Sequence, residues 1–199
     1  MHGVMLPVVD VAMNAVKLPQ LWLPIVLSAV IVLIGSAAIW MLLKYENAEW
    51  KPIEGEDQLR DVVRKLNLRA PGQYVFPHGM GREGMAAAMK KMEEGPNGVL
   101  LLTRPRRFSM GSSLFRMFVF YLVVGLFSGY VASHALASGA DYLRVFQVVG
   151  PVAFMAHGFA LVPEAVWFGR SWRSVWKGLV TALILGCLTA GTFGWLWPR

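Results

Sequence analysis

Charge is scarce in this sequence. Only 16% of its 199 residues are Asp, Glu, Lys or Arg, where an ordinary soluble domain carries about 25%. A single cysteine excludes a disulfide framework and any cysteine-only metal cluster within the chain. The ten-residue segments of alternating polarity typical of a membrane β-barrel are missing. So are a His-Glu-x-x-His zinc motif, a Walker phosphate loop, and any nucleophile–base–acid set at a workable spacing. An enzyme is therefore not expected.

What the chain has instead is apolar length. Hydrophobic residues make up 56% of it, against about 45–50% in a typical soluble protein. A helix needs about 20 mostly apolar residues to cross a bilayer. Runs at residues 21–43, 114–136, 142–168 and 178–197 all qualify. The first contains no charge, and Trp22 and Trp40 lie near its ends. The fourth closes on Phe193, Trp195 and Trp197. Such aromatic ends suit the membrane–water interface. Residues 1–20 lack a basic start and contain Asp10, so they do not read as a standard signal peptide. Pro7 and Pro19 bracket residues 8–18, an expected interfacial segment, and the first span reads as an uncleaved signal anchor.

The formal net charge of +7 invites a nucleic-acid reading, but the placement of the charges argues for lipid. Lys44, Lys51, Arg104, Arg106, Arg107, Arg116, Arg170, Arg173 and Lys177 fall on one side of the expected spans; Lys17, Arg144 and Arg199 fall on the other. By the positive-inside rule the richer side is cytoplasmic and both termini are periplasmic. Arg104, Arg106, Arg107, Arg170, Arg173 and Lys177 then act as topology determinants beside anionic lipid, and no nucleic acid is expected as a partner.

Residues 44–113 form the sizeable polar insert. Leu59, Val62, Val63 and Leu66 have helical spacing, so a helix is expected over 56–68. Ala70-Pro71-Gly72 ends it, a short strand follows at 73–76, a second helix at 84–94, and a second strand at 99–103. Met85, Met89 and Met92 share one face of the second helix and are read as core rather than as a binding groove. Gly79-Met80-Gly81-Arg82-Glu83-Gly84 is formally a G-x-G-x-x-G. No acidic residue closes the next strand and the insert is too small for a doubly wound sheet, so a glycine-rich loop with an exposed His78 is the better reading. The expected fold class is membrane all-α: four transmembrane helices with a small cytoplasmic helix-strand-helix-strand insert between the first and second. An insert of this size is marginal alone and must lean on the spans or on another subunit.

Ionisable groups inside a bilayer are functional candidates by default. His157 lies near the middle of the third run, and Glu164 follows roughly 10 Å further along the axis. Pro151 and Pro163 are expected to interrupt this helix. Three roles compete: a proton or ion path through His157 and Glu164; an axial ligand from His157 to a haem or chlorophyll-type pigment; and a structural pair, with His157 satisfied locally and Glu164 paired to Arg170 or Arg173. His134 and His157 differ in depth by about 17 Å, too far to clamp one haem within one chain. Gly125 with Gly129, and Gly186 with Ala190, have the four-residue spacing of close helix contacts, serving either packing within the four-helix unit or docking to another protein. Cys187 beside them is a small packing residue.

Four stretches carry a resemblance: Trp22-Leu23-Pro24-Ile25-Val26-Leu27-Ser28, Ala70-Pro71-Gly72-Gln73-Tyr74, Ser109-Met110-Gly111-Ser112-Ser113-Leu114, and Leu188-Thr189-Ala190-Gly191-Thr192-Phe193-Gly194-Trp195-Leu196-Trp197-Pro198. With them the chain resembles a widespread set of uncharacterised bacterial integral membrane proteins over nearly its whole length. The resemblance implies an inner-membrane location and brings no activity. The function expected is that of a non-catalytic accessory or assembly subunit of a larger membrane complex, such as a respiratory or photosynthetic one, with the bilayer and other membrane subunits as partners. The rivals are a small transporter or proton-conducting protein, and a haem- or pigment-binding subunit.

Overall fold

The computed structural model describes residues 15–43, 45 and 49–199. About 70% of it is helical. Most of the expected interfacial segment, and Lys44, lie outside the described residues. A short 3-10 turn at Leu18–Leu21 leads into helix α1, Trp22–Ala38, which loosens into a π-helical turn at Ile39–Leu43. The insert follows as α2 (Glu56–Lys65), β1 (Gly72–Phe76), α3 (Gly81–Glu94) and β2 (Gly98–Leu102). Then come α4 (Met110–Ala135), α5 (Tyr142–Gly158), α6 (Leu161–Phe168) and α7 (Trp172–Trp195). Among the described residues, four helical stretches are long and apolar enough to cross a membrane: Leu18–Leu43, Met110–Ala135, Tyr142–Phe168 and Trp172–Trp195.

Two of these helices begin earlier than the apolar runs predict, for the same reason. Ser109 caps α4 by accepting a hydrogen bond from the Ser112 N–H at 3.4 Å, and Ser171 caps α7 through the Ser174 N–H at 3.1 Å. A serine at the N-cap satisfies an orphan backbone donor whatever the polarity of the turn that follows. Arg173 and Lys177 are therefore carried on helix rather than on loop, and Arg116 moves from the first to the second turn of its helix.

The third expected span is two helices. Pro151 is tolerated inside α5, and the chain breaks at Phe159–Ala160 instead, ahead of Pro163 in the first turn of α6. A proline in a first turn gives up no intrahelical donor, while its ring clashes with the carbonyl four residues back. Gly169 then turns the chain in left-handed backbone, φ +71°, where glycine alone is unstrained.

The bundle packs chiefly through α5 against α7, with α1 between α4 and α7. The core has two centres. Leu21, Ile25, Ala132, Val145, Val149, Ala190 and Phe193 form one, and Ala29, Val32, Ile39, Tyr121 and Leu185 the other. Two buried hydroxyls bond back into their own helices, Ser28 to the Ile25 carbonyl at 3.1 Å and Thr189 to the Leu185 carbonyl at 3.0 Å, so these two enter the core without an unmet polar atom. At the end of the bundle where the described residues begin and end, Ala15 bridges to Ala137 and the Trp197 indole N–H donates to the Ala137 carbonyl at 2.9 Å.

The insert is barely packed. β1 and β2 pair antiparallel from Gly72↔Leu102 to Phe76↔Gly98, while α2 and α3 make no extensive contact with any other element. Ala88 is the one buried residue on α3. Met85, Met89 and Met92 are 53%, 59% and 47% exposed, so among the described residues the methionine face is not core, contrary to expectation. Leu59, Val62 and Leu66 on α2 are likewise exposed. A two-stranded ribbon is too small to cover both helices.

Candidate functional site

The polar end of the bundle is where the tertiary structure gathers charge. Glu49, just beyond the π-helical turn, meets two cations of α7: Lys177 Nζ at 2.5 Å and Arg173 Nε at 3.4 Å. Ser171 adds a longer contact, 3.5 Å. The hydrogen bond from Lys177, with the positive charges of Lys177 and Arg173, holds the Glu49 carboxyl below its ordinary value. Lys177 also donates to the Tyr45 carbonyl at 2.8 Å, and the Tyr45 hydroxyl lies against Thr181 and donates to the Lys177 carbonyl at 3.3 Å. This clasp ties the exit of the first span to the start of the last. Glu164 belongs to a second pair, with Arg170 Nη1 at 2.5 Å; Arg170 Nε in turn reaches Ser174 Oγ at 3.3 Å.

His157 and Glu164 are not brought together. One sits near the end of α5, the other on α6 beyond the break. The His157 ring is set edge-on to Phe120 and Tyr121, with centroids 5.8 Å and 5.6 Å away. Its Nε2 is buried and, with Ser128 Oγ, has no hydrogen-bond partner among the described residues. In this arrangement Nε2 presents no open face to a porphyrin metal. His134 is exposed and its ring lies tilted against that of Tyr130, whose carbonyl lies 2.9 Å from its Nδ1. Among the described residues no three His, Cys, Asp or Glu side chains converge as a metal site.

The small-residue positions face inward. A Cβ on Gly125 would lie 3.3 Å from both the Ile25 carbonyl oxygen and Ser28 Oγ of α1, and one on Gly129 would lie 3.2 Å from Phe193. A Cβ on Gly186 would lie 3.1 Å from the Phe154 nitrogen, and Ala190 is fully buried near Gly150. These four residues set the α1–α4 and α5–α7 approaches. Cys187 is exposed. Gly79 lies against the Gly84 backbone and Ala88, so the glycine-rich loop closes on the first turns of its own helix.

Of the six basic residues singled out from the sequence, Arg170, Arg173 and Lys177 have ion-pair partners. Arg104, Arg106 and Arg107 lie in the exposed loop between β2 and α4 and have none among the described residues. Arg106 and Arg107 join Arg116 around a cavity of about 200 Å³. Sequence reasoning missed Glu49. The available signal was that an acid directly after the first span faces an end otherwise rich in Lys and Arg. In comparisons with protein-family models, curated proteins and solved structures, nothing matches the chain.

Proposed function

We propose that the chain is a non-catalytic accessory or assembly subunit of a larger bacterial membrane complex. Its four apolar helices cross the inner membrane, with the basic end and the insert in the cytoplasm and both termini in the periplasm. The observation that carries this reading is the insert, whose apolar side chains on α2 and α3 are left largely exposed by the described residues. Two helices with half-exposed Leu, Val and Met, held beside a membrane by a short ribbon, are stable only against something else. The orientation rests on the basic end, which lipid-proximal Lys and Arg favour on the cytoplasmic side.

Purification in mild detergent, with particle mass read by native mass spectrometry, tests the subunit reading. The expected result is a particle with a second polypeptide in fixed ratio, which Met85→Glu with Met89→Glu dissociates while the four-helix unit stays folded. A lone monomer overturns it. Reporter fusions within the Gly79–Gly84 loop and after Arg199 test the orientation, with cytoplasmic signal expected only from the first.

A further inference from the structure

We propose that the cavity beside Arg106, Arg107 and Arg116 is a phosphate-oxyanion site that holds the headgroup of an anionic phospholipid. The cavity, about 200 Å³, lies between the loop ahead of α4 and that helix's first two turns; Phe108, Ser109, Ser112 and Ser113 complete its wall. Three arginines line it, its lining contains no acid, and none of the three has an ion-pair partner among the described residues. Elsewhere at this end of the bundle, Arg170 is paired with Glu164, and Arg173 shares Glu49 with Lys177. The positive charge around the cavity is therefore uncompensated, and guanidinium forks match the geometry of phosphate oxygens.

Size and position select the ligand further. The volume is below the about 300–1,000 Å³ that encloses a drug-sized molecule, so it suits a headgroup rather than a whole cofactor. Arg116 stands on the second turn of a helix long and apolar enough to span a bilayer, and the cavity therefore straddles a polar loop and an apolar rod. Phe108 in its wall is 71% exposed. A soluble phosphate ester has no use for that apolar flank, whereas the acyl chains of a phospholipid would lie along it. Basic pockets at the cytoplasmic ends of spanning helices bind such headgroups. The arginines, rather than the helix start, supply the charge. The lipid assignment rests on the reading of α4 as a span.

The test is native mass spectrometry of the full chain in detergent, titrated separately with phosphatidylglycerol, phosphatidylcholine and inorganic phosphate. Phosphatidylglycerol is expected to bind more tightly than phosphatidylcholine and to weaken as salt rises. Replacing Arg106, Arg107 and Arg116 by Gln should weaken it by roughly five-fold for each arginine. Arginine-to-lysine replacements should give intermediate affinity, and Arg60→Gln with Arg64→Gln on α2 should change nothing. Arginine-dependent binding of inorganic phosphate without lipid preference would support the oxyanion site and reassign its ligand to a soluble phosphate ester. Equal binding of the two lipids by the wild-type chain, with no phosphate bound, overturns the proposal, as does undiminished phosphatidylglycerol binding by the triple Gln variant. A chain that stays soluble without detergent would instead remove the spanning-helix reading.

Discussion

Glu49 Oε1 lies 2.5 Å from Lys177 Nζ across 128 residues of sequence. Both side chains are half-buried, about 20% exposed, and Arg173 stands on the solvent side of the same carboxylate. Through this contact the segment entering the insert is fastened to the helix that ends the bundle. Tyr45 fastens the same two elements a turn away.

Glu49→Gln should loosen this fastening. Proteolysis in the segment after Trp50 should speed up, and the thermal midpoint in detergent should fall. The acid dependence follows from the lowered carboxyl value. The clasp's contribution is complete above the ordinary 4.5 of a free carboxyl, and it is lost as pH falls below that toward the depressed folded value. Wild type should therefore lose protection in this segment below about pH 4.5, while Glu49→Gln should show a flat profile. Identical profiles would remove Glu49 from the account.

Gly186 tests the α5–α7 seam. A Cβ there meets the Phe154 nitrogen at 3.1 Å and the Gly150 carbonyl oxygen at 3.3 Å, backbone atoms that cannot rotate away. Gly186→Val should destabilise the solubilised protein by about 1–3 kcal/mol, the usual cost of overpacking. Gly111→Ala, where a Cβ meets nothing within 4 Å, is the control and should leave the thermal midpoint unchanged or raise it. Equal behaviour of the two variants would contradict the close approach.

His157→Phe replaces a ring with an unpartnered buried nitrogen by an apolar ring of similar shape, between Phe120 and Tyr121. Removing an unmet polar atom is neutral or stabilising, so the thermal midpoint should hold or rise. A marked drop would show that Nε2 has a partner. The wild-type absorption spectrum is a parallel check, and no Soret or near-infrared band is expected.

Residues 49–109 expressed alone should fail to fold. One buried residue on α3 and a two-stranded ribbon cannot offset the conformational entropy of ordering some 60 residues. Circular dichroism should show far less helix than α2 and α3 together contribute in the full chain. A cooperative melt of the isolated segment would overturn this and weaken the subunit proposal with it.

Much of the architecture was legible before any coordinates. The four apolar runs, the order helix-strand-helix-strand, and both strands to within a residue follow from local periodicity and from Pro and Gly punctuation. Apolarity alone does not mark the starts of α4 and α7, where a serine cap precedes a polar turn. The third span was expected to break at both prolines; only the one near Pro163 ends a helix, since α5 accommodates Pro151. The methionine face of α3 was misread because periodicity reports which side is apolar, and not whether anything covers it.

The sequence alone determined how many helices can span a bilayer and which end of the bundle is basic, since both depend on composition counted along a continuous stretch. Only the tertiary structure decided which cations share a distant carboxylate and which remain open: Glu49 reaches Lys177 and Arg173, and Arg106, Arg107 and Arg116 are left around their cavity, whereas the pair of Glu164 with Arg170, six residues on, is local enough to be expected from the sequence. Ion pairing acts over a few ångströms between side chains more than a hundred residues apart, and no local pattern in the chain encodes that distance.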